Sequence, residues 1–553
     1  MDALLNRKIS FKPAHYSDQG IERNIYKDYI LIFILYSFSF GLILLNQGIF
    51  WDGWVLYNQN PNDILNMFKE TGFFLHWPAY LYNFLLSINQ GIFLIRLLIF
   101  VTYLFTAFFL NYILSKIRII DSLSRLFIVL IFALFNINSA RIAIILLPYA
   151  ICNFLFFFGF YLIVKFFFRK IILYRILSLF CFFISFSTNS FLFFYIIPFI
   201  YIFYIKKDQI IPNKISFKNF LFSLKKAYKY LDFILIPFIF FIIKIRLFEP
   251  YGLYGDYNNI SLKDLNINYF IKAFNTSFLQ VFKTDYIRLI NYPFLIIIIS
   301  VIIFLIIKKL YRSDIINFNK KNINHDLFLA GFGLFAFFAG VFPYIAVGKT
   351  PNLLDWNSRH QLLVPLGAGF ILYYILKIFF RGIGLRTSIK IFFYTILITI
   401  FLCANIFIYL DYQRDWFKQL SLIENFKISK FIKNNNNFLF TDNTKDLNAI
   451  ERSYRFYEWS GIMKQAFKDE SRFGVNVNEK DNINNLLGLK NYPQYNFSKY
   501  NSGSKEINVI IEHGEFELSK RNIIKLFYYK FFDKKKYEDS IKKIIILEYD
   551  NKE

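Results

Sequence analysis

The residues best suited to chemistry sit in a few polar stretches between long apolar ones. The first is Gln47-Gly48-Ile49-Phe50-Trp51-Asp52-Gly53-Trp54, where a carboxylate stands between two indoles and Gly53 lets the backbone turn sharply beside it. Asp52 has two readings: a cap for a helix beginning at Gly53 or Trp54, or a carboxylate held at a membrane surface to meet a polar head group. Trp51 and Trp54 favour the second, because indole faces stack well on sugar rings. Glu70 and His76 follow on two segments, about 63–72 and 73–86, whose patterning is that of interfacial helices. The densest polar cluster is Gly348 to His360, with Lys349, Asp355, Trp356, Arg359 and His360 within twelve residues. Two cations there suit a phosphate or pyrophosphate whose negative charge must be offset as a bond breaks; a solvated loop with a snorkelling Arg359 is the alternative. Its Gly-Lys-Thr triplet lacks the upstream glycine spacing of a nucleotide-binding loop. Arg96 and Arg141 are further phosphate candidates, since guanidinium offers paired donors matched to phosphate oxygens, with interfacial snorkelling as the competing role.

Elements able to position these residues are apolar blocks of roughly twenty residues, the length that crosses a hydrocarbon core. Hydrophobic residues make up 56% of the chain, phenylalanine alone numbers 75, and the mean hydropathy is +0.40. About eleven spans are expected, near 29–48, 92–114, 126–140, 142–164, 172–187, 190–205, 231–248, 289–307, 327–347, 361–380 and 390–410. The first apolar run is too long for the core of a cleavable leader. With the N-terminal arm (1–28) inside, alternate loops are rich in Lys and Arg, notably Lys206 to Lys229 and Lys308 to Lys321, while the intervening loops are poor in them. This follows the positive-inside rule. All six tryptophans then fall outside, as do the loops 48–91, 249–288 and 348–360.

The net charge of +26 is accounted for by such loops, so no nucleic-acid partner is expected. Cys152, Cys181 and Cys403 all lie in apolar segments, and the five histidines are scattered. Neither gives a disulfide framework or a metal-ligand spacing. After the last span, residues 411–553 turn polar. Helices are expected over Asp415–Lys433 and Asp446–Lys468, and strands over Phe438–Thr441, Ile507–Glu512, Ile524–Phe532 and Lys543–Tyr549. Within the second helix, Arg452, Arg455, Tyr457, Glu458 and Trp459 read as a surface ion-pair face. The expected fold class is an all-α polytopic membrane bundle, N-terminus in and C-terminus out, with a small extracytoplasmic α/β domain over 411–553.

This arrangement resembles the GT-C superfamily of membrane glycosyltransferases, which includes the dolichyl-phosphate-mannose mannosyltransferases. The features in common are a first span ending in an aromatic-rich outside loop with an early Asp, paired interfacial helices, many short-looped spans and an extracytoplasmic C-terminal domain. The resemblance implies a bilayer-embedded enzyme, placed in the bacterial inner membrane. It would move a sugar from a polyprenyl-phosphate donor to a glycan, lipid or protein acceptor, with Asp52 as catalytic base on the acceptor hydroxyl. The sequence departs from the family pattern in that Asp52 is followed by Gly53 and the second outside turn, Asn136 to Arg141, holds no acid. A divalent metal cofactor is therefore not supported. An O-antigen polymerase or ligase type enzyme and a lipid-linked glycan transporter remain as alternatives.

Overall fold

The computed structural model describes residues 18–117, 119–202, 230–256, 258–260, 266–312, 323–353, 356–489, 495 and 506–549. Among these, six helices are long and apolar enough to cross a membrane: Gly91–Ser115, Ile144–Arg169, Pro293–Leu310, Ile323–Ile345, Val364–Gly382 and Thr387–Ile428. Ser122–Leu134, Ile172–Ser185 and Ser190–Ile202 are apolar but shorter. Each of the eleven apolar segments expected from sequence coincides over part of its length with a helix, but length and composition support six spans. The segment 126–140 shows why. Its helix starts at an Asp121 cap that accepts from Ser124 N at 2.8 Å and stops at Leu134. The chain then turns through Ser139–Ile142 and Ile144–Leu146, because Asn136, Asn138 and Arg141 carry polar groups that a continued apolar helix could not satisfy.

The chain is a multi-pass membrane protein by the surface it presents. Pro293–Leu310 and Leu231–Leu247 expose rows of large side chains, among them Phe294, Ile298, Leu305, Phe238 and Ile242, which water disfavours and acyl chains accept. Several charges within the bundle are paired. Arg125 meets Asp28 at 2.6 Å with both buried, and Lys377 and Arg381 meet Asp326 at 3.2 and 2.9 Å. Helices Ile323–Ile345 and Val364–Gly382 approach closely because Gly367 carries no Cβ; one there would stand 2.5 Å from Phe337 N.

Thr387–Ile428 is a single helix of 42 residues. The expected amphipathic helix from Asp415 is therefore its continuation, and only Lys430–Asn434 stands apart. Beyond it lies a four-stranded sheet of β1 (Asn437–Asp442), β2 (Phe473–Asn476), β3 (Glu506–His513) and β4 (Ile545–Tyr549), in the order β2-β1-β3-β4. β1 runs parallel to β2 and β3, and β4 closes antiparallel on β3. Phe417 and Leu422 of the long helix are buried against this unit, and Phe426 stacks on Phe440 of β1 at 5.7 Å. One expected strand is a helix, and one strand was not expected. Ile524–Phe532 belongs to a helix, Lys520–Phe532, which buries Ile523 and Leu526 at helical spacing behind a Ser519 cap. β2 is four residues long, too short to show a period in sequence. The helix expected over Asp446–Lys468 is regular only over Phe456–Phe467.

Candidate functional site

The segment carrying Asp52 is held from three sides. Asn46 donates to Tyr412 O at 2.8 Å, and its Oδ1 accepts from Gly48 N at 2.8 Å. Gln419 brackets Ile49, accepting from its N–H at 3.0 Å and donating to its carbonyl at 2.9 Å. Arg96 reaches across from Gly91–Ser115 to the carbonyls of Asn46, Gly48 and Ile142. The chain then enters a single 3₁₀ turn, Trp51–Val55, with Trp51 at φ 47°. A left-handed backbone is unfavourable for a bulky residue and persists only where its surroundings enforce it. Here Trp51 N donates to Glu458 Oε1 at 3.1 Å.

Glu458 belongs to the polar end of the chain. It is fully buried, forms a two-pronged pair with Arg452 at 2.6 and 2.8 Å, and accepts from Arg455 N at 3.0 Å. Arg452 also reaches Asp415 at 3.4 Å and lies 5.1 Å over the Trp51 ring. Tyr454 and Ala449 N complete the Asp415 carboxylate at 2.7 and 2.9 Å. Within the stretch read from sequence as a surface ion-pair face, Arg455 is exposed and pairs with Glu479, whereas Arg452 and Glu458 form a buried network that clamps the Trp51 turn. Trp459, stacked on Phe440 at 4.4 Å, is core.

Between this network and the loop before Val364–Gly382 lies a cavity of about 820 Å³. Trp51 and Trp356 form one wall, with ring centroids 5.8 Å apart. Arg359 stacks on Trp356 at 4.2 Å and donates to Trp356 O at 2.9 Å and Asn357 Oδ1 at 3.1 Å. Asp52, partly buried, hydrogen-bonds the hydroxyl of Tyr457, another cavity wall. Burial pushes its carboxyl above the usual range, against the opposing pull of Arg359, Tyr457 and Arg455. Tyr457 is itself driven upward by burial and by the Asp52 charge. Burial and Arg359 lower the Lys349 ammonium to about 7, and Lys349 donates to Asn258 Oδ1 at 2.6 Å. Burial, Arg359 and Lys349 lower His360 to about 2, so its imidazole is neutral. Tyr254 feels both Asp52 and Glu70, and the Glu70 carboxylate lies against Gly252 at φ +60°, where a Cβ would approach it to 3.3 Å.

No protein-family model matches the chain, and no curated protein matches it. The geometry alone assigns roles.

It brings together Trp51, Asp52, Lys349, Trp356, Arg359 and His360, with Glu70 near them through Tyr254. Others among the sequence candidates lie elsewhere. Arg96, proposed for phosphate, is fully buried and engaged by backbone carbonyls. Trp54 is 1% exposed and packs edge-on against Tyr57, so its face meets no ligand. Arg141 is sandwiched between Phe40 and Tyr103, 4.4 and 4.7 Å from their centroids, and donates to Asn138 O at 3.1 Å. Only its turn abuts the site, through Ser358 Oγ accepting from Ala140 N at 3.1 Å. His76 stands at the residue before the helix Trp77–Ser87, with a left-handed backbone and no side-chain capping bond, and lies edge-on to Phe248 at 5.5 Å. Asp355 lies outside the described residues. Among the described residues, no group of three or more His, Cys, Asp or Glu is placed to hold a metal. Tyr457, Arg455, Asn476 and Glu479 are cavity walls that sequence reasoning did not select.

Proposed function

We propose that the protein is a membrane glycosyltransferase, working on the extracytoplasmic face of a bacterial inner membrane with a polyprenyl-phosphate sugar as donor. The observation that carries the reading is Asp52, a carboxylate raised by burial and opposed by Arg359, beside a cavity walled by Trp51 and Trp356. The reaction is a displacement at the anomeric carbon. The acceptor hydroxyl gives its proton to Asp52, its oxygen bonds to the anomeric carbon, and the bond from that carbon to the phosphate oxygen breaks. The departing polyprenyl phosphate carries the extra negative charge, which Arg359 and protonated Lys349 offset. Tyr457 holds the carboxylate through its hydroxyl. His360, kept neutral, adds no charge. The basic bias of alternate loops and the outward grouping of tryptophans support the orientation.

Transfer of radiolabelled sugar from a polyprenyl-phosphate donor, followed in membranes carrying Asp52→Asn, tests the mechanism. Loss of transfer with normal membrane insertion is expected; undiminished transfer would remove Asp52 from the chemistry.

A further inference from the structure

The two sides of the cavity differ in chemistry. On the bundle side, Arg359 stacks on the wall residue Trp356 and its charge is felt by Lys349, two cations suited to a phosphate. On the side of the C-terminal sheet both cations are paired: Arg452 lies between Glu458 and Asp415, and Arg455 faces Glu479 at 3.4 Å. What remains there is a row of side-chain amides, Asn476, Asn478 and Asn482, together with Arg452 Nε, which has no hydrogen-bond partner among the described residues. Asn476 is 4% exposed, and its Oδ1 is engaged by Asn478 N at 3.1 Å. Its Nδ2 has no hydrogen-bond partner among the described residues, and neither does Glu479 Oε2. Buried polar groups are almost always satisfied, so a donor and an acceptor left open on one cavity wall point to a ligand that supplies both. They lie in the same cavity as the two indoles.

We infer that this wall is a saccharide subsite and that the acceptor is a neutral sugar chain, an assignment that rests on the transferase reading for the word acceptor. A sugar hydroxyl both donates and accepts, so it satisfies Asn476 Nδ2 and Glu479 Oε2 together, while the C–H face of the ring lies against Trp51 or Trp356. A bare lipid chain would leave both polar atoms unpaired, at a cost. A phosphate is drawn instead to Arg359 and Lys349.

The test uses the full chain in lipid nanodiscs and follows tryptophan fluorescence. Its probes are linear trimers of neutral hexoses and of N-acetylhexosamines, a polyprenyl phosphate, and an unglycosylated hexapeptide. At least one trimer should bind saturably. Asn476→Asp keeps the Oδ1 that caps Asn478 and removes the open donor, so trimer binding should weaken about tenfold, roughly 1.4 kcal/mol, with polyprenyl-phosphate binding unchanged. Glu479→Gln provides the same comparison on the acceptor atom if Asn476→Asp does not fold. The inference is overturned if the polyprenyl phosphate binds and no trimer does, if the peptide alone binds, or if a folded Asn476→Asp or Glu479→Gln protein holds the trimer as tightly as the parent. Trimer binding with full transfer by Asp52→Asn would defeat the mechanism and leave the subsite standing.

Discussion

The amide of Trp51 and the carboxylate of Glu458 meet at 3.1 Å across 407 positions of sequence. Through this bond the C-terminal unit fixes the backbone of the turn that carries Asp52. Glu458 is pinned in its turn by Arg452, which also covers the Trp51 ring. The site is therefore completed by the far end of the chain.

Glu458→Ala should release the turn. It strands Arg452 in a buried position, a loss on the order of 3–5 kcal/mol for a broken buried pair, and it removes the acceptor that holds Trp51 at positive φ. Hydrogen exchange over residues 46–58 should accelerate and transfer should fall, while Glu458→Gln, which keeps an acceptor, should be milder. Unchanged exchange in the Ala variant would rule out the clamp.

Arg359→Gln should lower kcat/KM by about a hundredfold, the usual scale for removing one group that stabilises developing charge. Arg359→Lys should recover little, because an ammonium lacks the planar face that stacks on Trp356. Full recovery by lysine would mean that charge alone matters at this position.

The pH profile should be bell-shaped. On the proposed mechanism Asp52 serves as a base only when ionised, and burial holds its carboxyl above the ordinary value of about 4. The rising limb of kcat/KM is thus displaced upward from that value and disappears in Asp52→Asn. Lys349 is charged below about 7 and loses its proton as the pH climbs through that value, which gives a falling limb. Lys349→Arg should move the falling limb to higher pH; a limb that stays in place excludes Lys349 from leaving-group stabilisation.

Stability should carry the same signature. A carboxyl whose folded-state pKa is raised binds its proton more tightly folded than unfolded, so stability falls as the pH rises between the two values. Asp52→Asn should therefore melt above the parent at neutral pH, with the gap closing as the pH drops through the folded-state value toward about 4. Thermal unfolding in detergent at several pH values measures it, and a gap that does not vary with pH would mean Asp52 is not held as described.

The apolar helices were legible because a span is a composition as much as a pattern, and Asp52, Trp356 and Arg359, which the fold brings close together, became candidates because polar residues beside such spans stand out. Arg96 and Arg141 became candidates for the same reason, and the fold places one against three backbone carbonyls and the other between two rings, surroundings that look alike in sequence. The cavity's second wall was hidden more deeply. Asn476 ends β2, a strand too short to signal itself, Glu479 follows it, and Tyr457 acquires its role only by meeting Asp52 from across the chain. Contacts of that separation are properties of the packed chain and leave no local trace.

The unbroken helix Thr387–Ile428 has a mechanical consequence. At 1.5 Å per residue its 42 residues make a mast of about 63 Å, sunk in the apolar bundle at one end and built into the sheet's packing at the other. The sheet is consequently keyed to the bundle in both height and phase. One inserted residue in the mast would lift the sheet by about 1.5 Å and swing it by about 100°, turning Glu458 away from Trp51 without touching either side chain.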